Sequence, residues 1–135
     1  MVTYVLDSSA VLRYLHNQAG SDRVAEIIKG HLAGDCEAVI SALHWGEVAG
    51  ITCKLYGGRE MEQVFSRLVA FGLRVVAADG DRAVRAALIK VESGISYVDS
   101  FGAELAAGVS SVLVTADCDF KAASQQVKIE FLPAK

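Results

Sequence analysis

Proline is almost missing from this chain: Pro133 is the only one in 135 residues. There is no polar, glycine-rich or repetitive tract either, which excludes disordered segments and linkers. The length suits a single domain, residues 1–135, able to bury most of its apolar surface in one core. Cysteine is sparse and odd in number. Cys36, Cys53 and Cys118 are widely separated, a spacing that excludes a disulfide framework, a zinc site or a redox pair and leaves them as small, reduced, mostly buried fillers. The opening stretch "MVTYVLDSSAVLRYL" lacks the basic segment of a signal peptide and meets Asp7 before any apolar run could span a bilayer. A cytoplasmic protein without membrane contact is the expectation. No basic excess advertises a polyanion-binding surface, since the net charge is −3.

What is present is hydrophobic, 53% of residues against 21% charged, and it is punctuated regularly. "TYVL" (3–6) reads as a buried strand, followed by a helix that Ser8 or Ser9 caps and that carries Val11, Leu12 and Leu15. Ser21 or Asp22 opens a second helix, with Val24, Ile27, Ile28 and Leu32 at helical spacing, ending near Gly34. "EAVIS" (37–41) is a strand, and Ser41 starts an apolar helix that runs to Tyr56 before Gly57 and Gly58. A charged helix from Arg59 to about Phe71 leads to the strand "LRVVA" (73–77). Asp79 then caps a helix ending at Gly94, and "YVDSFGAELAAG" forms the next. "SSVLVT" (110–115) is a continuous apolar strand, Asp119 is the expected cap of a short helical turn, and "VKIEFL" (127–132) closes the chain. Strands alternating with helices predict an α/β fold whose mainly parallel sheet of about five strands is covered on both faces.

In such sheets ligands sit outside the carboxyl ends of the strands, where Asp7 and Asp117 fall. Two further acids occupy unusual helical positions. Glu47 has Leu43 and Ile51 one turn away on either side, and Asp99 shares its face with Gly102, Ala103 and Ala106. Each has an ordinary reading: Asp7, Asp99 and Asp119 suit helix starts, with Ser96-x-x-Asp99 a capping-box pattern, and Glu47 suits an exposed helix surface. Asp117 is harder to explain so. Acids gathered at one rim without basic partners repel one another unless cations bind, and hard divalent ions such as Mg²⁺ or Mn²⁺ fit oxygen-only ligands.

In combination, "VLDSSAVLRYL", "SALHWGEV", "SYVDSFGAELA" and "LVTADCDF" resemble a PIN domain, specifically the VapC-type toxin ribonucleases. The resemblance runs over nearly the whole chain and rests on the order and spacing of these segments. It implies a three-layer α/β/α fold, metal-dependent endonuclease activity on RNA with one or two Mg²⁺ or Mn²⁺ ions per site, a homodimer, and a small VapB-type antitoxin that blocks the site. The family's acidic quartet then falls on Asp7, Glu47, Asp99 and Asp117, and Asp119 matches an acid found in many members. Ser8 and Thr115 match supporting hydroxyl positions. Ser8 stands where threonine is common, and Cys118 between the last two acids is a second mild departure.

These residue types suit phosphodiester hydrolysis, which needs a water deprotonated near neutral pH and a stabilised leaving oxygen. Asp7, Asp99 and Asp117 are the expected principal ligands. Glu47 would bind metal or orient the water, and Asp119 would act directly or through water. The charge objection weakens on inspection. Without Asp7, Glu47, Asp99, Asp117 and Asp119 the net charge of −3 becomes +2. Arg13 on the first helix, and Arg82 and Arg85 with Lys90 on the fifth, are candidate phosphate contacts, although solvated helix faces are the plainer reading. His44-x-x-Glu47 lacks the second histidine that a transition-metal site needs, His16 and His31 read as surface residues, and the stripe Trp45, Val48, Thr52, Leu55, Tyr56 reads as core or dimer seam.

Three other functions remain open on these residues. A phospho-receiver module is of similar length but needs an acid pair after the first strand, where Asp7 stands alone. A PIN-like fold that binds RNA without cutting conflicts with a full set of acids. A nuclease of housekeeping RNA processing fits every residue as well as a toxin does.

Overall fold

The computed structural model describes residues 1–135. Five parallel strands form one sheet in the order β3-β2-β1-β4-β5: β1 (Thr3–Leu6), β2 (Glu37–Ser41), β3 (Arg74–Val76), β4 (Ser111–Thr115) and β5 (Ile129–Phe131). β1 is central, with Val5 in register with Val39 on one side and Leu113 on the other. Because successive side chains point to opposite faces, the three inner strands feed two cores. Leu6, Ile40 and Val114 join one cluster; Val5, Val39 and Leu113 join the other.

Helices α1 (Ser8–Leu15), α2 (Ser21–Ala33), α3 (Ala42–Tyr56) and α4 (Gly58–Ala70) supply the first cluster through Val11, Val24, Ile27, Val48, Val64 and Leu68. α6 (Tyr97–Ala106) covers the second face with Ala103 and Ala106, joined by Phe120 of a 3₁₀ turn (Cys118–Ala123), while α5 (Gly80–Ser93) packs outside α6. The result is three layers, α/β/α, as expected. A sheet covered on both faces explains why β1 and β4 read as unbroken apolar runs and not as alternating ones. No helix is long and apolar enough to cross a membrane.

The cysteines are not buried fillers, since Cys53 and Cys118 are exposed and Cys36 is half-buried, and the elements differ from the sequence expectation mostly at their ends. Asp7, not Ser8 or Ser9, caps α1, its carboxylate accepting from the Ala10 amide at 2.9 Å. α2 opens at Gly20, whose left-handed backbone (φ 89°) replaces a side-chain cap; Leu132 would lie 2.9 Å from a Cβ there, so glycine serves both needs. Ser41, Asp79 and Ser96 cap α3, α5 and α6 as expected. The cap of the 3₁₀ turn is Asp117, which accepts from the Asp119 amide at 2.9 Å; Asp119 sits inside the turn. A carboxylate at the strand's end reaches the first free amides before one two residues later can.

Candidate metal centre

Parallel strands and antiparallel-running helices bring α1, α6 and the 3₁₀ turn to begin at the same edge of the sheet, beyond the carboxyl ends of β1 and β4. Asp7 follows β1 and is only 2% exposed. Its Oδ1 accepts from Ser9 Oγ at 2.7 Å as well as from Ala10, and its Oδ2 accepts from Thr115 Oγ1 at 2.5 Å. Both hydroxyls also serve the neighbouring loop, Thr115 Oγ1 accepting from the Asp117 amide at 3.0 Å and Ser9 Oγ from the Ala116 amide at 2.9 Å. Two small side chains thereby pin the end of β1 to the end of β4. Burial pushes the Asp7 carboxyl above the usual carboxylate range, opposed by the hydrogen bonds from Thr115, Ser9 and Ala10 and by the nearby His44.

Glu47 and Asp99 arrive from the helices. Glu47 is exposed on the second turn of α3, and Ser8 Oγ donates to its Oε1 at 2.9 Å. Asp99 is on the first turn of α6, half-buried, and the Nε2 of fully buried His44 lies 3.0 Å from its Oδ1. His44 Nε2 is also 3.9 Å from Glu47 Oε1, and the ligand atoms of His44, Glu47 and Asp99 all lie within 4.8 Å of one another. Asp7 and Asp117 stand outside that tightest group and connect to the rim through the Ser9 and Thr115 bonds.

The expected supporting hydroxyls, Ser8 and Thr115, both hydrogen-bond acids of the rim. Two neighbours were missed by sequence reasoning. In the sequence Ser9 shows only the mark of a possible cap, and His44 lacks the second histidine of a transition-metal site; its i, i+3 spacing to Glu47 is the available signal. Asp119 is exposed, and its carboxylate has neither a hydrogen bond nor an ion pair.

The basic candidates are engaged elsewhere. Arg13 is buried, and its guanidinium donates to the Ala19 and Pro133 carbonyls at 2.8 Å each, tying the end of α1 to the last residues of the chain. Little of it is left exposed to meet phosphate. Arg82 donates to Glu104 of α6 at 2.6 Å and Arg85 approaches the same carboxylate at 3.8 Å, so both flank Glu104 and neither bonds to a rim acid. His31 is no free surface residue: its ring bonds the Gly72 carbonyl at 2.7 Å and the Ala38 amide at 3.0 Å.

The donor set fits a hard divalent cation. On Glu47, Asp99 and Asp117 one carboxylate oxygen is held by the protein and the other makes no hydrogen bond, so each is oriented yet able to bind. None of the five acids has a lysine or arginine within salt-bridge distance. Asp7 differs in that both its oxygens accept hydrogen bonds and burial raises its carboxyl, so a nearby cation would draw it back toward the charged form.

A family model for the PIN domain matches residues 4–125. Curated protein sequences yield no match. Among solved structures, the chain is similar to DNA-bound VapBC from Salmonella typhimurium (TM-score 0.76, 17% identity, covering 97% of this chain and 98% of that one). It is similar also to VapBC2 from Rickettsia felis bound to a promoter DNA fragment (0.76, 16%, 98% and 100%). FitAcB from Neisseria gonorrhoeae gives a TM-score of 0.68 at 22% identity, covering 93% and 95%. At these identities the likeness is one of fold.

Proposed function

Because the chain belongs to the PIN domain family, we propose that residues 1–135 form a single nuclease domain, a divalent-metal-dependent endoribonuclease acting as the toxin of a VapBC-type pair. The observation that supports the metal-dependent reading is a group of acids without a lysine or arginine partner: ligand atoms of Glu47 and Asp99, with His44, lie within 4.8 Å of one another, and Asp7 and Asp117 are held at the ends of the two central strands. The alternative of a phospho-receiver loses ground on topology, because the sheet order here is 3-2-1-4-5 and receivers are ordered 2-1-3-4-5.

A bound Mg²⁺ or Mn²⁺ ion would lower the pKa of a water and offset charge at the leaving oxygen. Asp7, Asp99 and Asp117 would hold such an ion. Glu47, kept in place by Ser8, has a free oxygen with which to orient the attacking water or take its proton. Ser9 and Thr115 keep the Asp7 and Asp117 segments in register, which limits the reorganisation needed when substrate binds. Attack by water, and not by the ribose 2′-hydroxyl, leaves a 3′-hydroxyl and a 5′-phosphate. Purified protein incubated with a mixed RNA pool and Mn²⁺, Mg²⁺ or chelator tests this: metal-dependent cuts with those ends are expected, and RNA retained uncut in every metal would contradict it.

The VapBC-type partner is supported by the similar chains named above, which were solved as two-protein assemblies. A cavity of about 220 Å³ between α1, α3 and α4, where Leu15, Tyr56 and Val64 alternate with His16, Thr52, Glu60 and Arg67, offers a seat of mixed polarity for a partner segment. A basic side chain carried on that segment would pair with the rim acids and displace the ion. Co-purification from the native host should yield a protein smaller than this one, whose removal restores cleavage. Isolation of the chain alone, with no growth defect on expression, would favour housekeeping RNA processing instead. We propose also that the active form is a homodimer, supported by Val84, Leu88 and Val91, which stay exposed in a row along α5. Sedimentation showing only a 14.3 kDa species would contradict that.

A further inference from the structure

We infer that His44 is a positioning residue that turns Asp99 away from its own helix and toward the metal; the inference rests on the metal-site reading above. His44 is fully buried, and the one hydrogen bond its ring makes is from Nε2 to Asp99 Oδ1, at 3.0 Å; Nδ1 has no partner. A carboxylate only accepts, so Nε2 carries the proton of that bond. Glu47 Oε1, at 3.9 Å, is too far to share it.

The ring has little freedom to point elsewhere. Its backbone amide is held by the Ser41 cap at 3.2 Å, and its edge lies flush on α6 at Gly102, where an added Cβ would come within 2.8 Å of Cε1 and 3.1 Å of Nδ1. A small residue at 102 is what lets a ring from α3 reach Asp99.

Asp99 has a competing local partner that it does not take. In a capping box the side chain at the third helical position returns a bond to the cap residue's amide. Ser96 Oγ accepts from the Asp99 amide at 3.1 Å, which is half of the box, but the Asp99 carboxylate goes to His44 instead. Left to α6 alone, Asp99 would fold back over the helix start. With His44, Oδ1 is fixed at the rim and Oδ2 is left for an ion. A buried ring with an unpartnered nitrogen is a poor core residue and a good director of a carboxylate.

Mn²⁺ binding to the full chain, followed by calorimetry and by electron paramagnetic resonance, tests this. His44→Phe should keep or raise the thermal midpoint while weakening Mn²⁺ binding about 10- to 100-fold. His44→Gln, which keeps a donor, should recover part of the loss, and Gly102→Ala, which displaces the ring without removing it, should weaken binding. In an Asp99→Asn background His44→Phe should have no further effect, which a structural role alone would not produce. Wild-type affinity in His44→Phe, an equal loss in both backgrounds, or a directly bound histidine nitrogen in the wild-type spectrum would overturn the inference. Absence of Mn²⁺ binding by the wild type would instead sink the metal-site reading and this inference with it.

Discussion

Helix α6 carries two acids, Asp99 and Glu104, whose surroundings differ in one respect that decides their roles. Glu104 is buried, and it meets Arg82 at 2.6 Å and Arg85 at 3.8 Å. Asp99, five residues earlier, meets no lysine or arginine; its neighbours are His44 and another acid, Glu47. A carboxylate matched by guanidinium is finished as a structural element, because its charge is neutralised where it stands. One left among other carboxylates is an arrangement that a cation completes. The same contrast separates Glu130, held by Arg23 at 2.7 Å, from Asp117, whose hydrogen-bond partner is only a backbone amide.

The contrast can be broken most sharply at the rim. Asp117→Asn keeps shape and removes a charged ligand, so RNA cleavage should fall by on the order of 10³-fold while the circular dichroism spectrum stays unchanged. Glu104→Gln should leave the cleavage rate within about twofold. Wild-type cutting by Asp117→Asn, free of contaminating nuclease, would remove that residue from the site.

Stability should respond in the opposite sense. Arg82→Ala leaves Glu104 buried with only the longer contact to Arg85, and should cost about 1–3 kcal/mol in denaturant unfolding with no change in metal-dependent rate. An unchanged midpoint would mean that Arg85 closes on Glu104 and the pair is redundant.

A smaller effect sharpens the comparison through pH. Burial holds the Asp7 carboxyl above its unfolded value, so the folded state takes up the proton more readily. The contribution of Asp7 to metal-free stability is therefore fully present below the unfolded value, about pH 4, and is lost as pH rises through the raised folded value. Asp7→Asn removes that decline. Its thermal midpoint in chelator should match wild type near pH 4 and exceed it by on the order of 3 °C near pH 7. A gap that widens toward acid would contradict this.

How far the sequence reveals each half of the contrast follows from range. The strands and half of the helix caps were legible because they rest on local pattern: "VLVT" is apolar or β-branched at every position, and Ser41, Asp79 and Ser96 stand where a helix needs an acceptor. Asp7 and Asp117 were placed at a rim because a strand's end is also local. The pairing of each charge was not legible. Arg82 and Glu104 are 22 residues apart, and Arg13 meets the Pro133 carbonyl across 120, contacts that only the packed chain creates. His44 was undervalued for the same reason. Its nearest spacing signal points to Glu47, whereas its hydrogen bond crosses 55 residues to Asp99 through a gap left by Gly102.

The most direct measurement is Mn²⁺ titration by calorimetry of three proteins: wild type, Asp99→Asn and Glu104→Gln. If acids without cationic partners form the metal centre, wild type and Glu104→Gln bind with the same stoichiometry and affinity, and Asp99→Asn loses most of the binding. Binding that survives Asp99→Asn but disappears in Glu104→Gln, or a wild type that takes up no Mn²⁺, would contradict it.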